Sequence, residues 1–148
     1  MRITNQGLPI LYQDARVVVI DKPRGFHVHP PETNAHKVPR SKVLFYLLWD
    51  QIQKKLFPVH RLDAGISGVL LFALDLEAAA LLQRQFVERQ VQKKYWALVR
   101  GHFQEEQGRI DLPLELETTG TLVECHTSFR VLRELELPSA VGGKYPTS

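Results

Sequence analysis

The sequence predicts an α+β fold built on a mixed, mainly antiparallel sheet. Short β-branched runs with turn residues between them dominate the chain, two helix-period segments interrupt them early, and residues 108–137 return to strand-like alternation. Antiparallel pairing follows from the short connections, which leave no room for repeated crossovers.

Element by element, "ILYQD" (10–14) and "RVVVIDKP" (16–23) read as two strands, the second closed by Pro23, which has no N–H for a ladder. "RGFHVHPP" is a turn into a brief extended piece, with Phe26 and Val28 on one side and His27 and His29 on the other. "ETNAHKVPR" is polar loop. Ser41 is placed to cap a helix over 42–56, in which Leu44, Leu48, Ile52 and Leu56 recur every four residues before Pro58. "GVLLFAL" (68–74) has the length and apolar character of a buried strand. Asp75 then caps a second helix over 76–90, rich in alanine and leucine. "VQKKYWALVRG" (91–101) is expected as a strand, with Tyr95, Ala97 and Val99 on one face. Two or three more strands fill 108–137, and "PSAVGGKYPTS" is loop.

At 148 residues the chain suffices for one domain with a hydrophobic core. Its longest apolar runs fall far short of the roughly 20 residues that a membrane span requires. The N-terminus lacks a signal-peptide pattern. A single cysteine, Cys125, excludes an internal disulfide and reads as half-buried in a strand. These features fit a cytoplasmic monomer with no membrane partner. Charge is uneven: residues 1–60 carry a net +5, residues 61–103 +2, and residues 104–148 −4. The first two-thirds can therefore face a polyanion, as RNA-binding proteins do.

The stretch "HRLDAGISG" (60–68) sets His60, Arg61 and Asp63 against the start of the buried strand. Spacing leaves several readings open. Asp63 fits a loop ion pair or Asx-turn, and equally a carboxylate posed for chemistry at a strand end, with Arg61 on the same side of the extended chain. Gly65 and Gly68 permit positive φ and close approach. His27 and His29 with His60 and Asp63 could supply metal ligands, or be ordinary hydrogen-bonded residues. Tyr95 and Trp96 fit core packing, or a surface on which a base stacks beside Lys93 and Lys94.

Three stretches in this order resemble the RluA family of pseudouridine synthases: "DKPRGFHVHP" (21–30), "VHRLDAGISGVLLFAL" (59–74) and "KKYWALVRG" (93–101), followed by "GRIDLPL" (108–114). The resemblance runs from about Ile10 to the last residue. Its beginning and its ending "VGGKYPTS" look most like members that modify tRNA. It implies an RNA substrate, tRNA in first place and rRNA in second, with a uridine extruded from its stack. It implies Asp63 as the catalytic carboxylate and neither cofactor nor metal. Arg61 is implied to fill the vacated space or bind phosphate, and Tyr95 to lie against the base. The family usually has threonine at Ile66 and a basic residue at Ala64. It also continues into a threonine-glycine-arginine segment, absent from these 148 residues, whose cation pairs with the aspartate. The expectation is a single, incomplete catalytic domain over 1–148, without a separate N-terminal RNA-binding domain and weak or inactive by itself. The readings set against it are an inactive RNA-binding remnant and a His/Asp metal hydrolase.

Overall fold

The computed structural model describes residues 7–30, 38–116 and 119–135. Much of "ETNAHKVPR" and all of "PSAVGGKYPTS" lie outside the described residues. The chain divides into two compact units, Met1–Lys94 and Tyr95–Ser148.

The first unit holds a four-stranded antiparallel sheet in the order β1-β2-β4-β3. Its strands are β1 (Ile10–Gln13), β2 (Val17–Lys22), β3 (Phe57–Pro58) and β4 (Gly68–Ala73), so the expected antiparallel α+β class holds. β2 runs from Val17 opposite Ala73 to Lys22 opposite Gly68. Strict alternation buries Val18, Ile20 and Lys22 on one face of β2, where they meet Leu70 and Phe72 of β4. Helix α1 (Leu44–Ile52) covers this face with Leu44 and Leu48, and Leu56 closes the cluster. Full burial of a side chain such as Phe72 contributes about 1.5–3 kcal/mol. The other face of β4 packs a smaller cluster, in which Ala73 and Val59 meet Ala78 and Ala79 of α2 (Leu76–Val87). Asp75 caps α2 as expected, its carboxylate accepting from the Ala78 N–H at 2.7 Å.

α1 starts differently from the expectation. Ser41 lies in a short 3-10 turn, Arg40–Lys42, and Val43 takes the N-cap position without a side-chain hydrogen bond. The first helical N–H groups are satisfied from elsewhere: Leu44 donates to His27 O at 2.8 Å and Phe45 to Val28 O at 3.0 Å. Carbonyls of the extended 26–28 piece thus do the work of a capping side chain. The helix closes at Ile52, because Gln53 turns left-handed at φ 52°.

The second unit contains two two-stranded antiparallel sheets. β5 (Gln107–Ile110) pairs with β8 (Thr127–Arg130), and β6 (Leu114–Glu115) with β7 (Leu122–Val123). Phe103 stacks on Phe129 with ring centres 4.3 Å apart. Cys125 is half-buried but lies beyond the end of β7. The strand expected over 91–101 is corrected: none of these residues joins a ladder, and Trp96 and Leu98 are 88% and 93% exposed. Alternation supplies a face, but a strand also needs a partner to pair with, and no strand among the described residues pairs with this stretch.

Candidate active site

Asp63 sits in the β3–β4 connection, which enters β4 at Gly68. β3 leaves the ladder after Pro58. Two residues further on, the His60 ring takes over from the main chain, its Nε2 accepting the Leu71 N–H at 3.1 Å. The same ring stacks on Phe86 of α2, centres 4.7 Å apart. His60 is therefore a neutral, structural histidine with its proton on Nδ1.

Past His60 the chain makes a four-residue turn, Asp63 to Ile66, closed by the Ile66 N–H donating to Asp63 O at 3.0 Å. Two groups from the "DKPRG" stretch hold this turn. Lys22, wholly buried, donates from Nζ to Ile66 O at 2.6 Å and to Pro23 O at 3.3 Å. Gly25 donates its N–H to Ala64 O at 2.7 Å. Both anchors end on main-chain carbonyls, so the turn geometry does not depend on a threonine at 66 or a cation at 64. Gly25 and Gly68 use positive φ, at 85° and 130°, whereas Gly65 does not.

The outcome is a fixed turn presenting two exposed side chains, Arg61 and Asp63, on either side of half-buried Leu62. Among the described residues no cation forms an ion pair with Asp63. Lys22 acts on it through space, and burial holds the Lys22 ammonium below its usual pKa while the Asp63 charge works the other way. Tyr95, in the second unit, is 61% exposed. No three His, Cys, Asp or Glu side chains gather as a metal site among the described residues, and the His60 Nε2 lone pair is already engaged.

Lys22 is the residue that motif reading overlooked. The signal was present, because period-two alternation along "VVVIDK" puts Lys22 on the core-facing side with Val18 and Ile20. A lysine there is buried only if its ammonium has acceptors to reach.

Two predictions arise from these anchors. Gly25→Ala meets no atom within 4 Å, so its cost is backbone strain alone, about 1–2 kcal/mol of unfolding free energy by denaturant titration. Full stability in that variant would mean the turn tolerates another φ. For His60, burial first and the Lys93 charge second keep the imidazole pKa below 6.5. The unfolded chain then binds a proton that the folded chain refuses, so stability is complete above pH 6.5 and falls as the pH drops below it. The denaturation midpoint should decline between pH 7.5 and pH 5.5, and His60→Phe should flatten that decline. A decline unchanged in His60→Phe would assign it to other groups.

The chain is similar to known proteins over most of its length. A family model described as RNA pseudouridylate synthase matches residues 16–141. The tRNA pseudouridine synthase C of Pasteurella multocida is 40% identical over 151 residues, covering 95% of this chain and 60% of that protein. The Haemophilus influenzae protein of the same name is 38% identical, with 95% and 61% covered. The chain thus spans about three-fifths of the length of these relatives. Among solved structures, human RNA Pseudouridylate Synthase Domain Containing 4 aligns with a TM-score of 0.59 at 32% identity, covering 79% of this chain and 47% of that one. Human RNA Pseudouridylate Synthase Domain Containing 1 aligns with a TM-score of 0.66 at 24% identity, over 86% and 53%, which speaks to the fold alone.

Proposed function

The chain belongs to the RNA pseudouridylate synthase family, and we propose that it isomerises a uridine of structured RNA to pseudouridine with Asp63 as the catalytic carboxylate. The observation that carries this reading is the turn itself: an exposed carboxylate on a loop pinned by Lys22 and Gly25, at the end of a buried strand. Such pinning suits a group that must meet its target within a fraction of an ångström.

In this mechanism the target nucleotide swings out of its stack and its glycosidic carbon or uracil C6 meets the Asp63 carboxylate. The N1–C1′ bond breaks, the base turns, and a C5–C1′ bond forms. The C5 proton passes to solvent and N1 gains one, so no oxidant, reductant or external group is consumed. Arg61 occupies the place vacated by the nucleotide or holds a phosphate, and Tyr95 lies against the base. tRNA is the first-choice substrate, as the names of the relatives suggest, and rRNA the second. The chain acts as a cytoplasmic monomer.

The test is tritium release from tRNA labelled at uridine C5. Release that persists in the presence of a chelator supports the reading. Bound tRNA without release would replace it with a non-catalytic RNA-binding role, and release abolished by chelation would favour metal chemistry. Affinity for tRNA should fall as salt rises, because phosphate contacts release counterions.

A further inference from the structure

Away from the Asp63 turn, the first unit carries a second feature suited to RNA. An apolar groove of about 380 Å³ is lined by Phe45, Tyr46 and Trp49 of α1 and by Phe57 of β3, together with Arg40 and Lys55. Trp49 is 43% exposed. The Arg40 guanidinium lies 4.6 Å from the centre of the Tyr46 ring while pairing with Asp50 at 2.9 Å. Along residues 38–57 four cations (Arg40, Lys42, Lys54 and Lys55) stand against the single carboxylate of Asp50. Flat, exposed aromatic surface beside excess positive charge is the chemistry that stacks a nucleobase and holds its phosphates. A second copy of the chain would set this positive segment against itself, so charge complementarity favours the polyanion.

The groove is distant from Asp63. Its Phe57 wall stands opposite Ala73, at the last residue of β4, whereas Lys22, which grips the Asp63 turn, stands opposite Gly68, the first. Five residue steps of about 3.4 Å separate those ends by roughly 17 Å.

We propose that this groove is a second RNA contact, in which an unpaired nucleobase of the substrate stacks on Trp49 with Arg40 and Lys55 at the flanking phosphates, apart from the uridine presented to Asp63. The proposal rests on RNA being the substrate and adds a site that reads RNA shape at a distance from the reacting base. Trp49→Ala loses one stacked base and Lys55→Ala one phosphate contact, whereas Trp49→Phe keeps a ring.

With Trp96→Phe, Trp49 becomes the only tryptophan of the two. Titration of that chain with an unstructured twelve-nucleotide RNA should quench Trp49 emission saturably, and inorganic polyphosphate should not. In the otherwise unchanged chain, Trp49→Ala should weaken tRNA binding roughly tenfold and Trp49→Phe clearly less, with tritium release at saturating tRNA unaltered. Two results overturn the proposal: a Trp49 signal indifferent to RNA that filter retention shows to be bound, or a signal that follows chain concentration without RNA and so reports a second copy. RNA bound with a silent Trp49 removes the groove and spares the Asp63 reading. Absence of any RNA binding removes both.

Discussion

Asp63→Asn is expected to reduce tritium release by at least about 10³-fold while leaving the unfolding midpoint unchanged. The two halves of this result have separate causes. The exposed Asp63 side chain makes no hydrogen bond or ion pair among the described residues, and the turn is closed by main-chain groups, Ile66 N to Asp63 O and Gly25 N to Ala64 O. An amide of the same shape therefore breaks no bond that holds the fold, and removes only the through-space charge that Asp63 lends to buried Lys22. It removes the negative charge and the nucleophilic oxygen, which the isomerisation cannot replace from solvent. Asp63→Glu separates charge from position: it keeps the carboxylate but moves it by one methylene, and a misplacement of about 1 Å costs about 10²-fold. If Asp63→Asn retained release within a factor of ten, the carboxylate would not be the reacting group. If it unfolded the chain, Asp63 would be a structural residue.

Much of the first unit was legible because its signals are local. Alternation in "VVVIDK", the apolar run after Gly68 and the Asp75 cap each act over a few residues, and the structure keeps all three. The start of α1 was not legible in the same way. Its orphan N–H groups are met by His27 O and Val28 O, each seventeen residues upstream of its donor, and no pattern within the helix encodes that pairing. The stretch 91–101 fails for the complementary reason, since its alternation is real but alternation does not specify an edge to pair with. The candidate site shows both sides of this divide. Asp63 and Arg61 were marked by their chemistry and by the family resemblance. That the "DKPRG" and "HRLDAGI" stretches are one structural unit, joined by Lys22 to Ile66 and Gly25 to Ala64, emerges only once β2 and β4 are paired.

That junction makes Lys22→Met the informative companion experiment. Methionine is unbranched like lysine and, one heavy atom shorter, fills most of the same buried slot, but it donates nothing to Ile66 O and brings no charge near Asp63. Burying an ammonium is costly, so its removal offsets the lost hydrogen bonds, and the unfolding midpoint should change little or rise. The turn, by contrast, loses one of its two anchors. Amide exchange at Ile66 should quicken, and tritium release should fall by about 10²-fold with tRNA affinity maintained, the mark of a positioning residue rather than a binding one. A second readout isolates the charge. Because burial depresses the Lys22 pKa below 10.5, the folded chain gives up this proton before the unfolded chain does. Stability of the unaltered chain therefore gains with pH through the window that ends near 10.5, and Lys22→Met should lack that gain. Release undiminished in Lys22→Met would show that the Gly25 anchor holds the turn without help. A collapse of the fold would show instead that the buried ammonium is needed by the core of the sheet as much as by the carboxylate beyond it.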